Sequence, residues 1–121
     1  MVTQRGRWET IVDIFLEATE KFKDNIALQV ASEKEEALFY FQVREKTEKI
    51  ISALKKWGIE KKTHLGILSE NRPEWVYAYF AVLGAGGVVI GIDINLKPQE
   101  VLFILQHGEI KIIFVSKSAL P

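Results

Sequence analysis

The chain has 121 residues, with 16 Lys plus Arg balanced by 16 Asp plus Glu and 48% hydrophobic side chains. That is the size and balance of one ordinary globular domain, able to bury roughly two thirds of its unfolded surface without staples. Zero formal net charge gives no general pull toward nucleic acid or anionic membrane, and the absence of cysteine excludes disulfides, thiolate metal sites and a cysteine nucleophile.

The first residues, Met1 to Arg7, are polar and basic, and the apolar positions after them are broken by Glu9, Asp13 and Glu17. This is not a secretory leader, and no run reaches the ~18 apolar residues of a membrane span. Trp8, Ile11, Val12, Phe15, Leu16, Thr19 and Phe22 fall at three- and four-residue spacing, which predicts a first helix of about four turns. Asp24-Asn25 breaks it. Two short strands follow, residues 26–30 and 37–40, joined by a solvated loop containing Glu33, Glu35 and Glu36.

Val43, Thr47, Ile50, Ile51, Leu54 and Trp57 mark a second amphipathic helix, with Glu45 and Lys49 as an i,i+4 pair and Gly58 as its stop. Residues 64–69 read as a strand. Asn71-Arg72-Pro73-Glu74 then opens a third helix: Asn71 is placed to cap, Pro73 suits the first turn, and Glu74 faces the positive end of the dipole. Its apolar stripe is Trp75, Val76, Tyr79, Phe80 and Leu83. Residues 84–87 end it, and the β-branched run 88–92 reads as a strand buried on both faces. A fourth helix spans 98–106, with Val101, Leu102 and Leu105 inward and His107-Gly108 closing it. Residues 110–115 read as a last buried strand.

From Ile59 onward strands alternate with helices. That order predicts an α/β fold: a Rossmann-like layered sheet of parallel strands with right-handed crossovers and flanking helices, preceded by a helix and a short β-hairpin.

Motifs for chemistry are sparse. Gly84-Ala85-Gly86-Gly87 follows a helix and precedes a strand, the reverse of a dinucleotide fingerprint, so it reads as a helix terminus and close turn. His64 starts a strand and His107 ends a helix; neither has partners in sequence that would make it a metal ligand. Lys55, Lys56, Lys61 and Lys62 form a basic cluster that reads as a solvated helix end and loop. Residues alone therefore reach an α/β domain with no identifiable catalytic or metal-binding set.

Three segments carry further information. They are Ala53-Leu54-Lys55-Lys56-Trp57-Gly58-Ile59; Leu65 through Trp75, containing Ser69-Glu70-Asn71-Arg72-Pro73-Glu74-Trp75; and Ala81 through Ile90, followed by residues 96–100. In this order they resemble the start of AMP-forming acyl-CoA synthetases, the adenylate-forming superfamily, and the middle segment is most similar to the long-chain fatty acid branch. The resemblance covers about Trp8 to Val115. It implies structural motif positions at Asn71, Arg72, Pro73, Glu74, Trp75, Gly84 and Gly86. Phe39-Tyr40-Phe41-Gln42 departs from the family's Thr-x-x-Glu box and lacks its cap oxygen. Lys62-Thr63 and Gly91 replace the family's Gly-Asp and Pro.

The resemblance implies a two-step ligase in which a fatty carboxylate attacks the α-phosphate of ATP, giving acyl-AMP and pyrophosphate, and the thiol of CoA then displaces AMP. ATP, Mg²⁺ and CoA are implied for the whole enzyme; none is expected to bind tightly to these 121 residues, because the family's Ser/Thr/Gly-rich phosphate loop and its later catalytic motifs are not among them. Residues 1–121 are thus expected to be a partial amino-terminal domain, inactive alone, with the rest of the ligase as partner, a cytoplasmic location, and peripheral membrane contact and homo-oligomerisation as open options; no nucleic acid is expected. In some related CoA ligases the loop after the third strand approaches the CoA nucleotide with a basic residue, which points to Asn95, standing in that residue's place, and to nearby Lys97. Two alternatives stand beside this reading: a ligase for an aryl or shorter acid, and a free-standing α/β interaction domain without catalysis.

Overall fold

A computed structural model describes residues 10–31 and 36–120. Trp8, Glu33 and Glu35 lie outside the described residues. Helix α1 (Ile11–Lys21) starts at a capping box: Thr10 Oγ1 accepts from the Asp13 backbone N–H at 3.2 Å, and Asp13 Oδ2 accepts from the Thr10 N–H at 3.1 Å. That reciprocal pairing allows Asp13 to be buried. It turns the helix so that Ile11, at 52% exposure, faces solvent, contrary to the face predicted from spacing, and Phe22 is likewise exposed. Strands β1 (Ile26–Gln29) and β2 (Ala37–Phe39) pair antiparallel as the expected hairpin.

Helix α2 (Tyr40–Lys56) has Phe39 at its N-cap, a side chain with no acceptor. The other half of the box survives, since Gln42 Oε1 accepts from the Phe39 N–H at 2.9 Å. The ion pair on this helix is Arg44–Glu48, at 2.8 Å; the expected Glu45–Lys49 pair is not formed within 4.0 Å. Gly58, at φ 84°, closes α2, with the Ile59 N–H donating to Leu54 O and the Gly58 N–H to Lys55 O, the paired bonds of a Schellman turn.

Strand β3 (His64–Leu68), helix α3 (Pro73–Gly84), strand β4 (Val88–Ile92), helix α4 (Pro98–His107) and strand β5 (Ile112–Val115) complete the α/β part. A 3₁₀ turn, Lys117–Ala119, follows. The sheet order is β4-β3-β5 and all three strands are parallel, as predicted, with Leu65 beside both Val89 and Ile112. Only β3 is central. The run 88–92 is an edge strand of this sheet, and it is not buried on both faces: only Ile92 in it is buried, while Val88 and Gly91 are exposed; β5 is the other edge and none of its residues is fully buried. Ile110 stays outside β5 because α4 ends in its own Schellman turn, the Ile110 N–H donating to Leu105 O. The left-handed position of that turn is Glu109, φ 52°, rather than Gly108. Gly108 is needed for room instead, since a Cβ there would lie 2.8 Å from Ile104 O.

Two further expectations are corrected. Asn71 does not cap α3: Arg72 holds the N-cap position at φ −158°, ψ 161°, with no side-chain cap bond. Pro73 at the first helical position forces its predecessor into extended backbone, which fixes the boundary one residue later than Asn71. Leu102 points outward on α4 at 53% exposure, beside Phe103 at 63%.

The core is formed by Leu54, Leu65 and Val82, each fully buried, with Ile50, Ile59, Ala85, Val89, Ile112 and Phe114 against them. Burial of each such side chain stabilises the fold by about 1.5–3 kcal/mol. α3 carries its buried positions at Ala78, Ala81 and Val82, small residues that let it lie close to α2, while the aromatic stripe is half-buried.

Candidate functional site

Parallel strands deliver their carboxyl ends to one edge of the sheet, the place where open α/β sheets take ligands. Here the loop after β3 (69–72), the loop after β4 (93–97) and the turn after β5 lie along that edge. Glu70 is its centre. Its Oε2 accepts from Ser118 Oγ at 2.6 Å and from Ser116 Oγ at 2.7 Å, and its Oε1 accepts from Arg72 Nη1 at 3.2 Å. Arg72 Nη2 donates in turn to Glu74 Oε2 at 2.7 Å.

The electrostatics follow from these bonds. Donation by Ser118, then by Ser116, favours the ionised form and draws the Glu70 carboxyl down from 4.5 to about 2. The Arg72 guanidinium holds Glu74 below its ordinary value, and is itself pushed up, chiefly by Glu74. Tyr77, nearby, is raised by burial and then by the charge of Glu74.

Beside this network lies a cavity of about 420 Å³. Ile50, Ile67, Ala78 and Phe114 give it carbon walls, Trp75 closes one side, and Arg72, Ser116 and Lys117 form its polar rim. Trp75 is stacked on Tyr79 with centroids 5.3 Å apart, which holds the indole in place. On the other side of Arg72 a more polar cleft of about 510 Å³ is lined by Glu36, Lys46, Asn71 and Tyr77, reaching the hairpin at Leu38.

The structure thus brings Asn71, Arg72, Pro73, Glu74 and Trp75 together with Ser116, Lys117 and Ser118. Asn95 and Lys97 lie along the same edge at the end of β4, but line neither cavity. Asn95 donates its N–H to Asp93 Oδ1 at 2.8 Å, and the Lys97 N–H donates to Glu100 Oε1 at 2.9 Å; both residues are exposed. Gly84 and Gly86 sit at the far end of α3. Gly86, φ 87°, occupies the left-handed position of a Schellman turn, and a Cβ on Gly84 would approach Ile51 Cδ1 to 2.6 Å. The glycine cluster is therefore a helix terminus, as its position after a helix predicts.

His64 Nδ1 bonds to the Gly108 carbonyl at 2.6 Å, so that nitrogen carries the donor proton and ties β3 to the end of α4. His107 stacks on Phe103. Among the described residues no group of three or more His, Cys, Asp or Glu side chains converges to hold a metal ion. Ser116 and Ser118 are what sequence reasoning missed; two hydroxyls 46 and 48 residues from their carboxylate leave no local pattern.

The sequence profile of the family described as "AMP-binding enzyme" matches residues 15–121. The 4-hydroxybutyrate–CoA ligase 2 of Metallosphaera sedula is 32% identical over 96% of this chain and 21% of its own length. The long-chain-fatty-acid–CoA ligase heimdall of Drosophila melanogaster is 31% identical over 88% of this chain and 16% of its own. The chain thus spans about a fifth of the length of such relatives. Among solved structures, the Klebsiella oxytoca NpsA N-terminal subdomain superimposes with a TM-score of 0.81 at 19% identity, covering 91% of this chain and 28% of that one, a likeness of fold.

Proposed function

Because the chain belongs to the AMP-binding enzyme family, we propose that it is the amino-terminal part of an AMP-forming acyl-CoA ligase acting on long-chain fatty acids. The observation that carries this reading is the family match across 15–121, joined by curated relatives that are CoA ligases by name. The long-chain choice is supported by Ser69-Glu70-Asn71-Arg72-Pro73-Glu74-Trp75, whose side chains the fold gathers at the carboxyl edge. In this reading the carboxylate of the acid attacks the α-phosphate of ATP, the bond to pyrophosphate breaks, and the CoA sulfur then displaces AMP from the acyl carbon. Residues 1–121 supply scaffold and one wall of the site; phosphate binding and the chemical steps fall to residues beyond them. Asn95 and Lys97, exposed at the end of β4, are proposed to contact the CoA nucleotide.

A second reading, a shorter hydroxylated or aryl acid as substrate, is favoured by the 32% identity to a 4-hydroxybutyrate–CoA ligase. For location we propose the cytoplasm with peripheral membrane contact, as a fatty acid substrate would call for.

The test is a substrate panel on the full-length protein and on residues 1–121, each given ATP, Mg²⁺ and CoA, with acyl-AMP and acyl-CoA read by mass spectrometry. Acyl-CoA from palmitate with the full-length protein, and neither product with residues 1–121, is the expected result. Preference for 4-hydroxybutyrate or an aryl acid selects the second reading, and turnover by residues 1–121 alone overturns the scaffold assignment.

A further inference from the structure

One carboxylate joins two loops that are far apart in sequence. Ser116 Oγ and Ser118 Oγ, 3.4 Å from each other, both reach Glu70 Oε2, while Arg72 occupies Oε1. The β3–β5 ladder extends to the Ser116 N–H, which donates to Leu68 O at 3.1 Å. Beyond that point the backbone bonds of the turn are internal: Ala119 N–H to Ser116 O and Leu120 N–H to Lys117 O. Among the described residues, then, the hydrogen bond from Ser118 to Glu70 is the one that joins the body of this turn to the β3–α3 loop.

The tied elements both line one cavity. Ser69, Arg72 and Trp75 come from the β3–α3 side; Val115, Ser116 and Lys117 come from the β5 side. Glu70 spans them. A solvent-reached ion pair contributes little to global stability, so a carboxylate that collects three donors at this place acts on position.

We propose that Glu70 is a positioning residue: by holding Ser116 and Ser118 it fixes the Lys117–Ala119 turn against the loop before α3 and sets the opening of the carboxyl-edge cavity during substrate binding. The functional half of this proposal rests on the ligase reading above; the structural half does not.

The test uses the full-length protein with Glu70→Ala, Glu70→Gln, Ser118→Ala and the Ser116→Ala/Ser118→Ala double variant. Amide hydrogen exchange is followed at residues 116–120, and kcat and KM are measured for ATP, CoA and the acid. Glu70→Ala and the double-serine variant are expected to speed exchange at Ala119 and Leu120 tenfold or more, with β3 and α2 unchanged. They are also expected to raise KM for at least one substrate fivefold or more at a kcat within twofold. Glu70→Gln, the mildest change, keeps an oxygen acceptor and should fall between these and the parent, whereas Ser118→Ala removes the bond of the turn itself and should approach the double variant. Unchanged exchange at the turn overturns the proposal, as does faster exchange with every KM unchanged, or a fall in kcat alone. If the parent forms no acyl-CoA with any acid, the ligase reading falls and the exchange measurement still decides the latch. If acyl-CoA forms but the turn does not loosen, the latch falls and the ligase reading stands.

Discussion

The two ends of the three-stranded sheet are held together in different ways. At the amino end the turns are closed mainly by backbone: the Lys62 N–H donates to Gly86 O, the Val88 N–H to Thr63 O, and two Schellman turns end α2 and α3 beside Leu54, Leu65 and Val82, with Thr63 Oγ1 and His64 Nδ1 adding one side-chain bond each. At the carboxyl end the loops are closed by side chains, through Glu70, Arg72, Glu74, Ser116, Ser118 and Asp93, and the space beneath is a cavity instead of a core. Backbone-closed turns over a filled core leave little to adjust. Side-chain clasps over a hollow can be altered residue by residue without unfolding the sheet, and that is the end at which this architecture places function.

Substitutions can break this comparison or sharpen it. The largest effect is expected from Leu54→Ala, which empties the fully buried centre of the amino end and should cost about 3 kcal/mol in urea denaturation. Next comes a matched pair on α3. Ala81→Val adds volume at a fully buried position and should cost about 2 kcal/mol, whereas Ala78→Val adds it toward the cavity and should cost less than about 1 kcal/mol. Equal costs for the two would deny that the ends are packed differently. Gly86→Ala places a Cβ at φ 87°, where the nearest atoms, those of Lys61, stand at an ordinary 3.7 Å but the backbone is unfavourable, and should cost about 1 kcal/mol.

The smallest effect belongs to the clasp, and it depends on pH. Because Glu70 titrates at about 2 in the folded chain against an ordinary 4.5, the unfolded chain binds the extra proton between those values. Its contribution is fully present above pH 4.5 and is lost as pH falls toward 2. Glu70→Gln should therefore flatten the acid limb of a stability profile in that window, lying slightly below the parent at neutral pH and meeting it as pH falls toward 2; a profile identical to that of the parent would sever Glu70 from the two serines.

The difference between the ends also explains what could be read from sequence. The amino end is written in local patterns: the apolar spacing of α2, the glycines after α2 and α3, and the run Val88–Ile92, which matches β4 residue for residue. Where reading failed, the cause was tertiary. Val88 to Ile92 has the composition of a doubly covered strand, yet its place in the sheet is an edge, which composition does not encode. Ile11, expected inward, is exposed while Asp13 is buried, where a capping box engages its Oδ2. Asn71 lost the cap to Arg72 through the constraint of Pro73 on its neighbour, a rule that is local and was available in the sequence. The carboxyl end was half legible: Arg72, Glu74 and Trp75 were singled out by resemblance, but their meeting with Ser116 and Ser118 is a product of parallel topology.

That topology also sets an order in time. With β4 and β5 on either side of β3, the strand synthesised first is the one both others need. At ~5–20 residues per second of translation, β3 leaves the ribosome seconds before β5. Each later strand then meets a template already in place, and neither has to insert between strands that have paired. The sheet grows outward from its oldest member, so the growing polypeptide never has to undo one pairing to make the next.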